Sequence, residues 1–132
     1  MDYILGGRRY GKTRKCLEWV LMDNEPTSNY PFWQKIILCI SPQEAKRLRS
    51  ELRRMARSRG VQDPNDLIYN MVYSTEEWNR AQIGRESVKV MLDNADLFLQ
   101  QMFRGQLAGM TLTEDEHDKI IRLDSQNNWR RL

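Results

Sequence analysis

The first thirteen residues, MDYILGGRRYGKT (residues 1–13), contain the stretch that decides the fold. A short apolar run, YILG at 3–6, is typical of a buried strand, and the apolar spacing after it predicts a helix over 12–23. Glycines occupy the connection between them, and glycine adopts backbone conformations that other residues avoid. We therefore predict a strand, a glycine-rich loop and a helix in immediate succession.

The loop residues match the spacing G-x-x-x-x-G-K-[ST], which is the P-loop or Walker A motif. In such a loop, backbone N–H groups point at phosphate oxygens, and the helix that follows adds the positive end of its dipole. Lys12 is expected to reach the β- and γ-phosphates of ATP, and the Thr13 hydroxyl to bind Mg²⁺. The predicted nucleotide-binding residues are Gly6, Gly7, Arg8, Arg9, Tyr10, Gly11, Lys12, Thr13 and Arg14.

A second signal for a metal site lies about 80 residues further along the chain, where the apolar run VKVML at 88–92 ends on Asp93. A Mg²⁺ ion bound to phosphate is usually held by an aspartate at the end of a neighbouring strand, the Walker B aspartate. Thr13 and Asp93 are therefore the predicted metal ligands. Asp93 could also cap the helix predicted at 95–105, and that role is compatible with metal binding.

Strand-like and helical segments alternate along the rest of the chain. Further strands are predicted at 35–40, 67–73 and 106–113, and further helices at 42–59, 74–84 and 95–105. Such alternation is typical of βαβ units. It predicts an α/β three-layer sandwich with a mainly parallel sheet, the P-loop NTPase fold. We expect one domain, with a P-loop ATPase core at 1–113 and a helical C-terminal tail at 114–132.

Capping boxes are predicted at the starts of two helices, Ser41 with Glu44 and Ser74 with Glu77, and Gly60 is the predicted end of the helix at 42–59. The apolar residues of that helix form one predicted stripe: Ala45, Leu48, Leu52, Met55 and Ala56.

The segment ILGGRRYGKT resembles the Walker A segment of phage large terminases and helicase-like ATPases, in which the form GGRxxGKT is frequent. The resemblance implies Mg²⁺-dependent ATP hydrolysis linked to nucleic acid, in viral DNA packaging or as a helicase-like accessory ATPase. It also implies that Thr111 or Thr113, in the predicted last strand, senses the γ-phosphate. Because the chain corresponds to the ATPase domain alone, we expect a homo-oligomer or a larger protein partner.

The residue after Asp93 departs from this family. The family places a glutamate there to orient the attacking water, and this chain has Asn94. Asp96 could substitute for it from the following helix. The predicted catalytic residues are Lys12, Asp93, Asn94 and Asp96. The alternative is a nucleotide-binding switch with little or no hydrolysis that binds a protein partner. Two weaker alternatives are a small-molecule or nucleotide kinase and a nucleic-acid-binding protein with a vestigial P-loop.

The positive charge of the chain is concentrated in one predicted helix. Residues 42–60 hold seven Lys or Arg against two Glu, so this segment carries about +5 in a chain whose net charge is +3. Several cations on one helix face are the footprint of sequence-independent nucleic-acid binding, although a solvated surface helix has the same pattern. The predicted nucleic-acid contacts are Lys46, Arg49, Arg53 and Arg57.

Composition limits the remaining possibilities. No apolar run approaches the roughly 18 residues that cross a bilayer, and no basic and apolar leader follows Met1, so we expect no membrane partner and a cytoplasmic location, the host cytoplasm if the protein is viral. Cys16 and Cys39 are expected to act as small buried hydrophobes. With His117 as the single histidine, a metal site built from Cys and His is not expected.

Overall fold

The structure is a computed structural model that describes residues 3–7, 11–22, 35–61, 71–81, 88–111, 120–123 and 129–131. Strands and helices alternate through most of these residues. The strands are β1 (Tyr3–Leu5), β2 (Lys35–Cys39), β3 (Val72–Ser74), β4 (Lys89–Leu92), β5 (Ile120–Leu123) and β6 (Trp129–Arg131). The helices are α1 (Lys12–Leu21), α2 (Pro42–Ser58), α3 (Thr75–Ala81) and α4 (Ala95–Phe103). Among the described residues, no helix is long and apolar enough to span a membrane.

A three-stranded parallel sheet in the order β3-β2-β4 forms the centre of the fold. Ile37 of β2 is level with Val72 of β3 and Met91 of β4. As expected for a strand covered on both faces, β2 buries neighbouring apolar residues, Ile36 and Ile37. The α/β class and the parallel pairing are therefore confirmed.

Helices α1 and α2 cover this sheet with apolar stripes. Cys16, Leu17 and Val20 of α1 are buried at the spacing of one helix face. The predicted apolar stripe of α2 is also confirmed: Ala45, Leu48, Leu52 and Ala56 are buried, and Met55 packs against them. These side chains join β2 and β3 in one hydrophobic core.

The ends of the helices follow local sequence signals. The Ser41 hydroxyl accepts a hydrogen bond from the Glu44 N–H at 3.2 Å, so Ser41 is the N-cap of α2 as predicted. Gly60 follows the last turn of α2 with φ of +84°, the left-handed conformation that favours glycine. Before α3, Ser74 and Glu77 form the predicted capping box, each side chain accepting from the other's N–H at 3.2 Å.

The end of the chain differs from the prediction. Residues 106–111 form neither helix nor strand and are mostly exposed, so the strand predicted over 106–113 is absent from its described part. The tail predicted as a helix instead supplies β5, which pairs in parallel with β1, and β6, which pairs antiparallel with β5. The described residues of the predicted helical tail at 114–132 are therefore strands rather than helix. Two consecutive β-branched residues, Ile120 and Ile121, favour a strand in this segment, whereas 106–111 includes Gly109, which weakens a strand.

Candidate functional site

The glycine-rich connection leads directly into α1. Gly6 is half-buried and Gly7 is exposed after β1, whereas Arg8, Arg9 and Tyr10 lie outside the described residues. Gly11 takes the left-handed conformation, with φ of 86° and ψ of 21°, and its carbonyl accepts the first helical hydrogen bond from the Lys15 N–H at 3.1 Å. A side chain would be strained at this φ, so the glycine is required by the backbone.

The first turn of α1 contains no acidic residue, and Gly11 has no side chain to cap it. The N–H groups of this turn have no intrahelical acceptors, and they carry the positive end of the helix dipole. Lys12 is the first residue of the helix and is half-buried. A positive dipole end next to a lysine is electrostatically suited to a phosphate.

The two predicted metal ligands lie in contact. The Thr13 hydroxyl donates to the carboxylate of Asp93, 3.3 Å from Oδ1 and 3.4 Å from Oδ2, across a sequence separation of 80 residues. Asp93 follows β4 directly, and its N–H donates to the Leu38 carbonyl of β2 at 3.1 Å. This backbone hydrogen bond fixes Asp93 at the carboxyl edge of the parallel sheet, opposite the start of α1.

Asp93 is buried, with 3% of its surface exposed, and its environment contains opposing charges. Burial raises the pKa of the Asp93 carboxyl above its ordinary value, because a charged form loses hydration. The hydrogen bond from Thr13 and the positive charges of Arg47 and Lys12 lower that pKa, and the negative charge of Glu44 raises it. A buried carboxylate with this balance of neighbours would gain from a bound cation.

Cys16 adds a second contact to the same carboxylate. It lies one turn after Thr13 on α1, and its thiol lies 4.0 Å from Asp93 Oδ1. Burial, with the nearby charge of Asp93, raises the pKa of the Cys16 thiol to about 12, so the group stays protonated and can donate. Cys39 is also buried and uncrosslinked, and burial raises its pKa to about 11.

The start of α2 provides two charged residues that sequence reasoning did not assign to the site. Glu44 and Arg47 are joined by hydrogen bonds of 2.8 and 3.3 Å, and Arg47 also pairs with Glu51 at 3.1 Å. The charges of Glu44 and Arg47 both act on Asp93. The signal that could have identified them is the short distance along the chain between β2, which neighbours β4, and the N-cap Ser41.

Asn94 and Asp96, the predicted water-positioning residues, lie just beyond Asp93. Asn94 takes the left-handed conformation at the start of α4, with φ of 58° and no hydrogen bond from its side chain to the helix end. Asp96 is exposed in the first turn of α4. In the described part of the chain, neither side chain forms a hydrogen bond with Thr13 or Asp93.

Of the remaining predicted nucleotide contacts, Arg14 and Thr111 lie in the described part of the chain. Arg14 is exposed, and its Nε donates to Glu18 at 3.4 Å on the next turn of α1. Thr111 is exposed and is not in a strand, so it does not lie on the predicted last strand from which it was expected to sense the γ-phosphate. Thr113 lies outside the described residues.

One of the four predicted nucleic-acid contacts on α2 is not on the surface. Arg49 is buried, and its Nη2 donates to the Val72 carbonyl at 2.6 Å and to Glu77 Oε2 at 2.7 Å. A guanidinium occupied in this way is not available to a phosphate backbone. Lys46 and Arg57 are exposed and Arg53 is half-buried, so these three keep the predicted position on the surface.

The residues that are brought together fit a magnesium ion better than a transition metal. The described residues contain no group of three or more His, Cys, Asp or Glu that could hold a metal by themselves. One carboxylate and one hydroxyl offer hard oxygen ligands, and Mg²⁺ usually adds phosphate oxygens and water to such a pair.

Comparison with protein-family models, curated proteins and solved structures finds no match to this chain.

Proposed function

We propose that the protein is a P-loop NTPase that binds ATP with Mg²⁺ and hydrolyses it. The observation that carries the proposal is the contact between Thr13 and Asp93, which are 80 residues apart in sequence and 3.3 Å apart in space. The Walker A and Walker B patterns each predicted one of these two residues, without information about their distance. Two separate segments of the sequence that meet at one point support a shared chemical role.

The residues divide the work between phosphate and metal. The loop amides and Lys12 would bind the phosphates, and Thr13 and Asp93 would hold the metal. Thr13 and Asp93 would hold the ion where its charge could offset the negative charge that develops on the phosphates during transfer. Cys16 keeps the Asp93 carboxylate oriented through its thiol.

The resemblance to terminase and helicase-like ATPases supports a link to nucleic acid, in viral DNA packaging or as a helicase-like accessory ATPase. The positive segment at 42–60 gives this link a physical basis, since it is oppositely charged to a phosphate backbone. In this role the protein acts as a homo-oligomer or with a larger protein partner.

The proposal is tested by measuring ATP binding and Mg²⁺-dependent hydrolysis, with and without DNA, for the natural protein and for Lys12→Ala. We expect Lys12→Ala to weaken ATP binding roughly tenfold or more, because a charge-assisted contact to phosphate is lost. Lys15→Ala is the matched control: Lys15 lies one turn further along α1 and pairs with Glu18 at 3.1 Å. No ATP binding by the natural protein, or equal losses in the two variants, would contradict the proposal.

The second candidate function is a nucleotide-binding switch with little or no hydrolysis that binds a protein partner. Asn94 favours it, because an amide cannot accept a proton from water. Asp96, the other predicted water-positioning residue, is exposed, and no described hydrogen bond joins it to Thr13 or Asp93. Asp96→Asn separates the two functions. Loss of turnover with unchanged ATP affinity would assign the water-positioning role to Asp96, and tight binding without turnover in the natural protein would favour the switch.

A further inference from the structure

A positively charged cleft lies on the C-terminal half of α2, away from the start of α1. Its volume is about 370 Å³, and it is lined by Ser50, Arg53, Arg54 and Arg57. These residues have the spacing i, i+3, i+4 and i+7, which places them on a single face of the helix. The buried stripe that includes Leu48 and Leu52 occupies the opposite face.

The arginines of the cleft have no acidic partner, in contrast to four other cations on the described helices. Each of Arg14, Lys15, Arg47 and Arg49 pairs with a glutamate. None of Arg53, Arg54 or Arg57 lies within 4.0 Å of a carboxylate oxygen in the described ranges. The Nε atom of Arg53 is buried there without a hydrogen-bond partner. Three uncompensated guanidinium groups around one cleft favour an anionic ligand.

The length of this surface favours a chain of phosphates over a single one. At 1.5 Å per residue, Ser50 to Arg57 covers roughly 10 Å of the helix axis, and Lys46, exposed on the same face one turn earlier, extends it to roughly 16 Å. A nucleic-acid strand advances about 3.4 Å per phosphate along its axis, so the surface spans several phosphates. The cleft has no aromatic lining residue among those described, so it contains no platform for base stacking.

We infer that this cleft binds the phosphate backbone of nucleic acid without sequence preference, through Arg53, Arg54 and Arg57. The inference rests on the nucleic-acid part of the proposed function and gives it a surface. Compared with the predicted contacts, Arg54 takes the place of Arg49, and Lys46 is not counted because it does not line the cleft. The inference also assigns the contact to the end of α2 far from Asp93: Arg57 lies roughly 20 Å along the helix axis from Glu44, which acts on Asp93.

The test is fluorescence anisotropy with labelled 30-nucleotide single-stranded and 30-base-pair duplex DNA, in the absence of ATP. We expect binding to one or both, with log K falling against log salt at a slope of about −2.7 on the duplex, since three phosphate contacts each contribute roughly −0.9. This slope corresponds to a roughly 40-fold loss between 50 and 200 mM salt. For Arg53→Gln with Arg57→Gln, we expect a slope near −0.9 and at least about tenfold weaker binding at 50 mM salt.

The matched control is Arg80→Gln with Arg104→Gln. It removes the same charge from exposed positions on α3 and beyond α4, and it should change affinity less than about twofold. Circular dichroism checks that both double variants remain folded. No binding of either DNA at 50 mM salt, or equal losses in the two double variants, would overturn the inference.

Two competitors distinguish the phosphate backbone from other anions. Inorganic phosphate should displace DNA no better than chloride at equal ionic strength, and polyglutamate of equal total charge should displace it less well than unlabelled DNA. Stronger displacement by inorganic phosphate would make the cleft a single-phosphate site, and equal displacement by polyglutamate would make it a site for acidic protein. Because the assay contains no nucleotide, its failure leaves the ATP-binding proposal intact.

Discussion

At the scale of single residues, the candidate site is centred on one buried carboxylate, Asp93. Asp93 accepts a hydrogen bond from the Thr13 hydroxyl, and the Cys16 thiol lies 4.0 Å from its Oδ1. The backbone N–H of Asp93 donates to the Leu38 carbonyl of β2. None of these groups fully compensates a buried negative charge, because burial still raises the pKa of Asp93. A buried carboxylate that destabilises the free protein and could bind a cation is typical of a binding site.

This cost predicts the behaviour of Asp93→Asn. Because the pKa of Asp93 is higher in the folded protein than its ordinary value of 3.8, the unfolded chain releases the proton first, and stability falls as the pH rises above that value. Asn carries no charge, so we expect Asp93→Asn to unfold at a higher temperature than the natural protein at pH 7. The difference should disappear near pH 3. Thermal unfolding monitored by circular dichroism across this range measures it.

Addition of Mg²⁺ and ATP provides the control for this prediction. The ligands should raise the unfolding temperature of the natural protein, because they bind only the folded state, and should raise that of Asp93→Asn much less. Cys16→Ser, which retains a donor near the carboxylate, should respond to the ligands like the natural protein. A lower unfolding temperature for Asp93→Asn at pH 7 would mean that the carboxylate is fully compensated in the free protein.

At the scale of elements, α2 is divided along its length. Its first half places Glu44 and Arg47 near Asp93. Its middle packs into the core, where Arg49 pairs with Glu77 of α3, and its last turns carry the positively charged cleft. The Arg49 contact joins three elements, because Arg49 also donates to the Val72 carbonyl of β3. It therefore holds the charged helix at a fixed position against the sheet.

Loss of this contact should be measurable in Glu77→Gln. The pKa of Glu77 is lowered: burial alone would raise it, but hydrogen bonds from Arg49 and Ser74 outweigh that effect. The pair therefore stabilises the fold above the unfolded pKa near 4.5, and its contribution is lost as the pH falls below that value. We expect Glu77→Gln to lower the free energy of unfolding at pH 7 by about 2 kcal/mol, since a charged hydrogen bond to a buried arginine is weakened. Urea denaturation measures the change.

Arg47→Gln is the matched comparison within the same helix. Arg47 also pairs with glutamate, but its side chain is 47% exposed against 10% for Arg49, so its pairs contribute less than about 1 kcal/mol to folding. The stability difference between Glu77→Gln and the natural protein should narrow below pH 4.5. Equal effects of the two substitutions at pH 7 would show that Arg49 is not a structural anchor.

At the scale of the whole molecule, the two ends of the chain meet in one sheet. β1, which leads into the glycine-rich connection, has β5 as its parallel neighbour, and β6 continues the sheet. The candidate site therefore depends on residues more than 100 positions away, because β1 supports the loop and β5 supports β1. β5, which lies after residue 113, therefore pairs with the strand that leads into the candidate site.

We predict that a chain truncated after Thr113 loses cooperative thermal unfolding and ATP binding together. The truncation removes β5 and β6, and β1 then loses its paired backbone along Tyr3, Ile4 and Leu5. Ile121→Pro in the full chain should act in the same direction, because proline removes an N–H from a strand paired on both sides, whereas Ile121→Val should be mild. A truncated chain that still melts cooperatively and binds ATP would show that the tail is dispensable.

Some of this organisation could be read from local sequence. The predicted ends of α2 agree with its Ser41 cap and Gly60 stop, and the predicted metal ligands Thr13 and Asp93 lie together. A cap acts within one turn of its helix, so near neighbours in sequence are enough to predict it. Thr13 and Asp93 were each predicted from the residues around them, whereas their contact spans 80 residues and is made by the tertiary structure. The burial of Arg49 could not be read in this way. It lies at the border of the apolar stripe of α2, and only the position of β3 and Glu77 decides whether that border is covered.

The sequence by itself determined the strand, glycine-rich connection and helix at the start of the chain, the alternation of elements, and the residue types that make phosphate and magnesium chemistry possible. These depend on backbone preferences and periodicity over a few residues. Only the tertiary structure decided that 120–123 rather than 106–111 is a strand, that β5 pairs with β1, and that Arg54 joins the charged cleft while Arg49 leaves it. Strand pairing and burial depend on which segments, distant in sequence, pack together in the fold, and the local β-propensity of a segment is only a small part of that free energy.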